Sequence, residues 1–166
     1  MTAAPIIVWF RQDLRLRDHA ALSAAAATGA PLIPLYIFDD DTPGKWRAGA
    51  ASRWWLHESL TRLDAGLRKL GSRLVLAQGP AANVLADMAQ ETGARAIYWS
   101  RGYEPWATKQ ERAMHRALEA AGVRCRRFSG SLVFEPEDIE TGKGDPYKVF
   151  TPFYKACIAA YERSEL

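Results

Sequence analysis

Five short apolar runs recur along the chain, and segments with helical periodicity separate them. The first run, Ile6–Phe10, is apolar at every position, which is typical of a central parallel strand covered on both faces. The β-branched and aromatic residues of the other runs predict strands at residues 31–38, 73–77, 96–100 and 123–128. Strands that alternate with helices in this way predict an α/β fold, with a doubly wound, five-stranded parallel sheet.

Helical periodicity is clearest in the segment of residues 52–70, where leucines recur at spacings of four and three. Such a stripe predicts one buried helix face. Ser52 is the predicted N-cap of this helix, and we expect at least one of Trp54 and Trp55 to pack in the core. Shorter helices are predicted at residues 20–27, 81–91 and 108–121, each ending close to a glycine.

The pattern changes after Ser129. Two turn-rich segments, residues 135–138 and 142–146, precede a predicted helix that starts near Pro152. We therefore predict two parts, an α/β domain over residues 1–130 and a C-terminal connector over residues 131–166. The connector is expected to lead with its helix into a second domain that these 166 residues do not contain.

Composition narrows the class of protein. Apolar residues make up 48% and charged residues 25% of the chain, as in ordinary globular domains. The sequence shows neither a membrane-spanning apolar stretch nor a secretory signal pattern, and two cysteines do not make a disulfide framework. We therefore expect a cytoplasmic protein without a membrane partner. A net charge of +3 is compatible with a polyanionic partner but does not require one.

Ligands of open α/β sheets bind at the carboxyl ends of the strands, near the point where strand order reverses. The loops predicted at that edge are residues 11–18, 39–51, 79–80 and 101–106. Neither a Gly-x-Gly-x-x-Gly nor a Walker A sequence is present, so the dinucleotide and P-loop classes are excluded. Arg11 directly follows the first strand and is a candidate contact for an anion; the alternative is a salt-bridged loop. Arg53 opposes the helix dipole, which makes it a candidate contact for a ligand or a partner; a solvated arginine is the alternative.

The loop after the fourth strand is a further candidate. Gly102 permits close backbone approach, and the aromatic rings of Tyr103 and Trp106 suit a planar ligand. A purely structural aromatic cluster is the alternative. The three histidines lack metal-ligand spacing, and no nucleophile motif is present. From the residues alone, the chain is a ligand-binding domain without recognisable catalytic machinery.

Four segments resemble the photolyase/cryptochrome family and occur in that family's order. They are residues 8–18 (VWFRQDLRLRD), 52–56 (SRWWL), 103–105 (YEP) and 144–153 (GDPYKVFTPF). The SRWWL form is similar to bacterial photolyases close to plant cryptochromes. The resemblance implies an N-terminal antenna domain joined to a helical domain that binds FAD and repairs pyrimidine dimers in damaged DNA.

Because the FAD-binding and DNA-binding residues lie outside these segments, we expect this part of a photolyase to be catalytically incompetent and to bind little DNA. The same domain of a cryptochrome photoreceptor is the alternative, followed by a stand-alone nucleotide-binding module. The sequence leaves the lesion type and oligomeric state open.

The resemblance also implies a light-harvesting pigment. Candidate contacts transferred by motif and position are Arg11, Phe38, Asp39, Arg53, Gly102, Glu104 and Trp106. Trp106-Ala107 stands where some folate-binding relatives have Asn-Glu, and Gly102 stands where deazaflavin binders have an acidic residue. The bacterial subgroup favours methenyltetrahydrofolate over deazaflavin or FMN, and an empty pocket is the other alternative.

Overall fold

A parallel sheet of five strands forms the centre of the chain, in a computed structural model that describes residues 3–164. The strands are β1 (Ile6–Phe10), β2 (Leu32–Phe38), β3 (Val75–Gln78), β4 (Ala96–Ser100) and β5 (Arg124–Phe128). The helices are α1 (Ala20–Ala26), α2 (Ala50–Lys69), α3 (Ala81–Thr92), α4 (Pro105–Ala120) and α5 (Phe150–Arg163). The predicted α/β class and five-stranded parallel sheet are confirmed.

Strand order in the sheet is β3-β2-β1-β4-β5. The central β1 pairs in parallel with β2, where Ile6 aligns with Leu32, and with β4, where Ile6 aligns with Ala96. The chain winds from β1 outward through β2 and β3, then returns to the other side of β1 for β4 and β5. The reversal of strand order therefore falls between β1 and β4, and the loops after these two strands leave the sheet beside it.

Alternate side chains of the strands pack into two separate cores, one on each face of the sheet. Trp9 and Trp99 lie in the core under α3 and α4, together with Met114. Val8 and Phe10 lie in the core on the opposite face, under α1 and α2. Each strand of the centre is buried on both faces, which explains why Ile6–Phe10 is apolar throughout.

Two expectations about α2 were wrong. The helix begins at Ala50 with Gly49 as its N-cap, so Ser52 lies inside the first turn. Trp54 and Trp55 are 64% and 69% exposed rather than packed in the core. Helical geometry explains why Trp54 is exposed. Trp54 precedes the buried Leu63 by nine residues, and a rotation of about 100° per residue places the two side chains about 180° apart around the helix axis.

The chain divides into two compact units after Gly130. The second unit contains a 3-10 turn at Pro136–Asp138, where the side chains of Glu135 and Asp138 form a capping box. An isolated antiparallel bridge joins Glu140 to Pro146, and α5 follows. Within residues 3–164, none of the helices is long and apolar enough to cross a membrane.

Candidate functional site

The loop after β1 is fastened to the sheet by a buried carboxylate. Asp13 is 4% exposed, accepts a hydrogen bond of 2.9 Å from the backbone amide of Arg11, and lies 2.9 Å from Nε2 of His19. Burial raises the pKa of Asp13, but contact with His19 and hydrogen bonds from Ser100 and the Arg11 amide outweigh it and lower this pKa to about 2. The Nδ1 atom of His19 accepts a bond from the backbone amide of Leu22 and so caps α1.

Arg11 itself is paired within the chain. Its guanidinium forms an ion pair with Glu111 of α4 and lies 4.7 Å from the ring centre of Trp9. The Glu111 side chain is only 4% exposed and also lies 3.6 Å from Arg127 of β5. The carboxylate of Glu111 thus occupies the position beside Arg11 where the sequence predicted an external anion.

Gly102 is part of the same cluster. Its backbone amide donates a 2.8 Å hydrogen bond to Glu111. A Cβ atom at this position would lie 2.8 Å from the guanidinium of Arg11 and 2.9 Å from the Cβ of Ala107. The close approach predicted for Gly102 is therefore made by two side chains of the chain itself.

Asp39, at the end of β2, joins three elements. Its carboxylate accepts hydrogen bonds from both the amide and hydroxyl of Thr42, from the amide of Ala81 and from the side chain of Gln110, at 2.6 to 3.0 Å. Burial raises the pKa of Asp39, but these hydrogen bonds outweigh burial and leave the pKa below its usual value. Because Ala81 is the first residue of α3, Asp39 caps that helix from a neighbouring strand.

Two predicted contacts, Phe38 and Arg53, lie on the other face of the sheet. The guanidinium of Arg53 lies 2.8 Å from the carboxylate of Asp40 and donates to the carbonyl of Ala48 at 3.1 Å. The Arg53 side chain remains 49% exposed. Phe38 packs edge-on against Tyr36 at 5.1 Å, and burial together with the charge of Asp40 raises the pKa of Tyr36.

Three exposed tryptophans lie close to Arg53 in the sequence. Trp54 and Trp55 follow it in α2, with ring centres 6.4 Å apart, and Trp46 in the preceding loop is 70% exposed. The ammonium group of Lys45 lies 5.4 Å from the ring centre of Trp46. This region therefore combines planar aromatic surface with a guanidinium that is accessible to solvent.

The start of α4 contains the remaining candidates. Glu104 is the N-cap residue, yet its carboxylate accepts a 2.9 Å bond from Gln12 in the loop after β1 instead of capping the helix. Trp106 is half-buried in the first turn. Both residues lie beside the reversal of strand order, where the loops after β1 and β4 meet.

Five of the seven candidates thus form two groups separated by the sheet, and Glu104 and Trp106 lie at the start of α4. Arg11, Asp39 and Gly102 belong to the α3/α4 side, whereas Phe38 and Arg53 belong to the α1/α2 side. The sequence analysis missed Glu111 and Gln110. Glu111 had a recognisable signal, since it interrupts an otherwise apolar helix face at spacings of four and three: Ala107, Glu111, Met114 and Leu118.

A groove of about 570 Å³ lies at the opposite edge of the sheet. Its walls include Leu32 at the start of β2, Val75 at the start of β3 and Thr92 at the end of α3. This is the amino edge, away from the loops where open α/β sheets bind ligands. In residues 3–164 no group of three or more His, Cys, Asp or Glu side chains is arranged to hold a metal ion.

An open, doubly wound parallel sheet defines an α/β domain of the class that binds ligands at the carboxyl ends of its strands. The sequence profile of DNA photolyases matches residues 6–165. The chain belongs to the DNA photolyase family.

Individual relatives agree with this assignment. The deoxyribodipyrimidine photo-lyase of Agrobacterium fabrum is 45% identical over 156 residues, which are 94% of this chain and 32% of the relative. Cryptochrome-1 of Arabidopsis thaliana is 35% identical over 154 residues, 92% of this chain and 22% of the relative. The crystal structure of a bacterial class III photolyase from Agrobacterium tumefaciens superposes with a TM-score of 0.87 and 43% identity, over 99% of this chain and 33% of that one. The chain therefore spans about a third or less of the length of these relatives.

Proposed function

We propose that these residues are the antenna domain of a light-driven DNA repair enzyme, a deoxyribodipyrimidine photo-lyase that acts on pyrimidine dimers. The observation that carries the proposal is the 45% identity to a photo-lyase along 94% of the chain. Photolyases bind FAD and an antenna chromophore. In our proposal the FAD and the repair chemistry belong to residues outside this chain.

A repair assay tests whether this chain lacks the repair activity of the longer protein. The 166-residue chain is illuminated with reduced FAD and DNA that contains pyrimidine dimers, beside a photo-lyase of full length as the positive control. We expect dimers to disappear with the control and to persist with the chain. Light-dependent repair by the chain alone would contradict the proposal.

The two groups of candidate residues differ in how accessible they are to an antenna pigment. On the α3/α4 side, the guanidinium of Arg11 and the carboxylate of Asp39 are engaged by groups of the chain itself. On the α1/α2 side, Arg53 is also paired, with Asp40 at 2.8 Å, but its side chain remains 49% exposed, next in sequence to the exposed Trp54 and Trp55. We therefore assign direct pigment contacts to Phe38, Arg53 and the neighbouring rings.

The other candidates act indirectly in this proposal. Arg11, Asp39 and Gly102 hold the loops at the carboxyl edge in place, and Glu104 and Trp106 form the rim beside them. A bound pigment supplies absorption of near-ultraviolet or blue light and transfer of that energy to the flavin. Arg53 would pair with an anionic group of the pigment, and the indole rings would exclude water from one of its faces.

Methenyltetrahydrofolate is the pigment that we propose, ahead of deazaflavin or FMN, because the SRWWL segment resembles bacterial photolyases close to plant cryptochromes. The carboxylates of its glutamate tail would pair with Arg53. Replacement of Arg53 by glutamine tests the assignment in a fluorescence titration with folate. We expect affinity to fall about tenfold, the usual value of a charge-assisted contact. Arg62→Gln is the matched control, since Arg62 is an exposed arginine of the same helix. Equal affinity of the two variants would contradict a role for Arg53.

A cryptochrome photoreceptor is the second candidate function, and the 35% identity to Cryptochrome-1 supports it. The photo-lyase is preferred because its identity is higher over a similar share of the chain. The two are distinguished by the longer protein that contains this chain. Repair of dimers under light by that protein supports the photo-lyase. If the protein binds flavin and is photoreduced but does not repair dimers, the result supports the photoreceptor.

A further inference from the structure

The two acidic residues that follow β2 point to opposite faces of the sheet. Asp39 bonds to Gln110 on the α3/α4 side, whereas Asp40 pairs with Arg53 on the α1/α2 side. This alternation continues that of β2, in which neighbouring side chains lie on opposite faces. Asp40 therefore lies on the same side of the sheet as Phe38 and Arg53, the two residues to which we assign pigment contacts.

The Asp40 carboxylate is accessible to a ligand. Its side chain is 44% exposed, and its Oδ2 atom lies 2.8 Å from Nη2 of Arg53. Burial raises the pKa of Tyr36, and the charge of Asp40 raises that pKa further. The Tyr36 ring packs against Phe38, with ring centres 5.1 Å apart. The negative potential of Asp40 thus reaches the aromatic residues at the end of β2.

Arg53 keeps donor capacity on its Nη1 atom. Nη2 faces Asp40, and Nε donates to the carbonyl of Ala48 at 3.1 Å. Among the described residues 3–164, Nη1 has no partner of its own. A ligand oxygen can therefore bind Arg53 while Asp40 stays in place.

A count of charges indicates which ligand suits this pair. Arg53 and Asp40 neutralise each other within the chain. A ligand carboxylate that binds Arg53 adds one negative charge, so that two carboxylates then share one guanidinium. A positive charge on the ring of the ligand restores the balance, because Asp40 then gains a second partner. A phosphate dianion instead raises the excess to two negative charges.

We infer that Asp40 is a specificity-determining residue of the pigment site, and that its carboxylate favours a pigment with a positively charged ring system. This inference rests on the proposed antenna function and names the pigment chemistry that the site selects. Methenyltetrahydrofolate has that chemistry, since its methenyl bridge joins two nitrogens in a delocalised amidinium cation. Its glutamate tail supplies the carboxylate for Arg53. FMN fits less well, because its ring is neutral and its phosphate is a dianion.

A purely structural role for Asp40 is the alternative. In that role, the ion pair with Arg53 only joins the loop after β2 to α2. Both side chains are about half-exposed, and ion pairs of that kind add little to stability. A structural role predicts no difference between two ligands that differ only in the charge of their ring.

Two folates with the same tail and different ring charge test the inference. Methenyltetrahydrofolate has the cationic bridge, whereas folinic acid, a formyltetrahydrofolate, has a neutral ring and the same glutamate tail. Isothermal titration calorimetry of the whole 166-residue chain measures both dissociation constants. We expect the parent chain to bind the methenyl form about fivefold more tightly, the value of a half-exposed charge pair.

Replacement of Asp40 by asparagine removes the charge and keeps the shape of the side chain. The variant also releases Arg53, but this changes the affinity for the shared tail equally in both folates, so the ratio of affinities reports the ring charge. We expect that ratio to fall to within about twofold of unity. The affinity for FMN should rise about threefold, because repulsion between Asp40 and the phosphate is lost.

Two further variants serve as controls. Asp40→Glu keeps the charge and should keep the preference for the methenyl form. Asp41→Asn is the matched control, since Asp41 is an exposed carboxylate of the same loop and its replacement changes the net charge by the same amount. We expect Asp41→Asn to leave the ratio of affinities unchanged. Circular dichroism verifies that each variant is folded.

Several results would overturn the inference. They are equal affinity of the parent chain for the two folates, a ratio that Asp40→Asn leaves unchanged, or an equal fall of the ratio in Asp41→Asn. In each of these cases folate still binds, so the antenna proposal stands and only the role of Asp40 fails. If neither folate binds the parent chain, the result contradicts folate as the pigment and overturns this inference with it.

Discussion

Replacement of Glu111 by glutamine tests whether the buried ion pair organises the carboxyl edge. The substitution keeps the shape of the side chain and removes its charge. Arg11, only 13% exposed, then loses its carboxylate, and the hydrogen bond from Gly102 loses a charged acceptor. Arg127 contributes less because it is 46% exposed and 3.6 Å away.

The structure sets the magnitude. Removing one partner of a buried pair typically costs 3–5 kcal/mol, because the other charge stays buried without compensation. Since Arg11 retains some contact with solvent, we expect a loss of about 3 kcal/mol for Glu111→Gln, at the lower end of that range. For a chain of this size the melting temperature should fall by about 6–12 °C.

Urea unfolding and thermal unfolding, both followed by circular dichroism, measure the effect. Glu119→Gln is the control, because Glu119 is 53% exposed on the same helix and should cost less than about 0.5 kcal/mol. The double variant Arg11→Met/Glu111→Leu should recover most of the loss, since an apolar pair leaves no buried charge. Similar costs for the variants at Glu111 and Glu119 would refute the reasoning.

Three further predictions concern stability. Leu63→Ala should cost about 2–5 kcal/mol in urea unfolding, whereas Leu70→Ala, at the 72% exposed C-cap residue of the same helix, should cost under about 0.5 kcal/mol. Gly102→Ala should cost about 1–3 kcal/mol, because the added Cβ crowds the buried guanidinium of Arg11. Gly142→Ala is the control and should be near neutral, since Gly142 has open space around it. Equal melting temperatures of the two variants would exclude crowding. Asp13 should contribute about 2 kcal/mol above pH 4, since its pKa is about 2 in the folded chain and 3.8 by default. The folded pKa is the lower one, so this stability is lost as the pH falls from 4 towards 2, and the difference in unfolding free energy between the parent chain and Asp13→Asn should shrink over that interval.

Most of the fold was predictable because it depends on local pattern. The apolar run of β1 and the glycines after the helices mark elements whose bounds agree with the structure to within about three residues. The start of α2 was less predictable. Its true N-cap is Gly49, and a serine three residues later was the stronger local signal.

The candidate site was predictable only in part, because its contacts join distant parts of the chain. The carboxyl edge follows from the fold class, and Arg11, Asp39 and Arg53 lie there. Their partners do not follow from spacing. Arg11 pairs with Glu111, one hundred residues away, and Asp39 bonds to Gln110, seventy-one residues away.

Co-elution of a pigment with the purified chain tests the central proposal most directly. The chain is mixed with equimolar methenyltetrahydrofolate, deazaflavin or FMN, separated by gel filtration, and its absorption spectrum is recorded. We predict that the folate elutes with the protein as a near-ultraviolet band and that Arg53→Gln reduces this band. A protein fraction that absorbs only at the aromatic band after all three mixtures would contradict an antenna role.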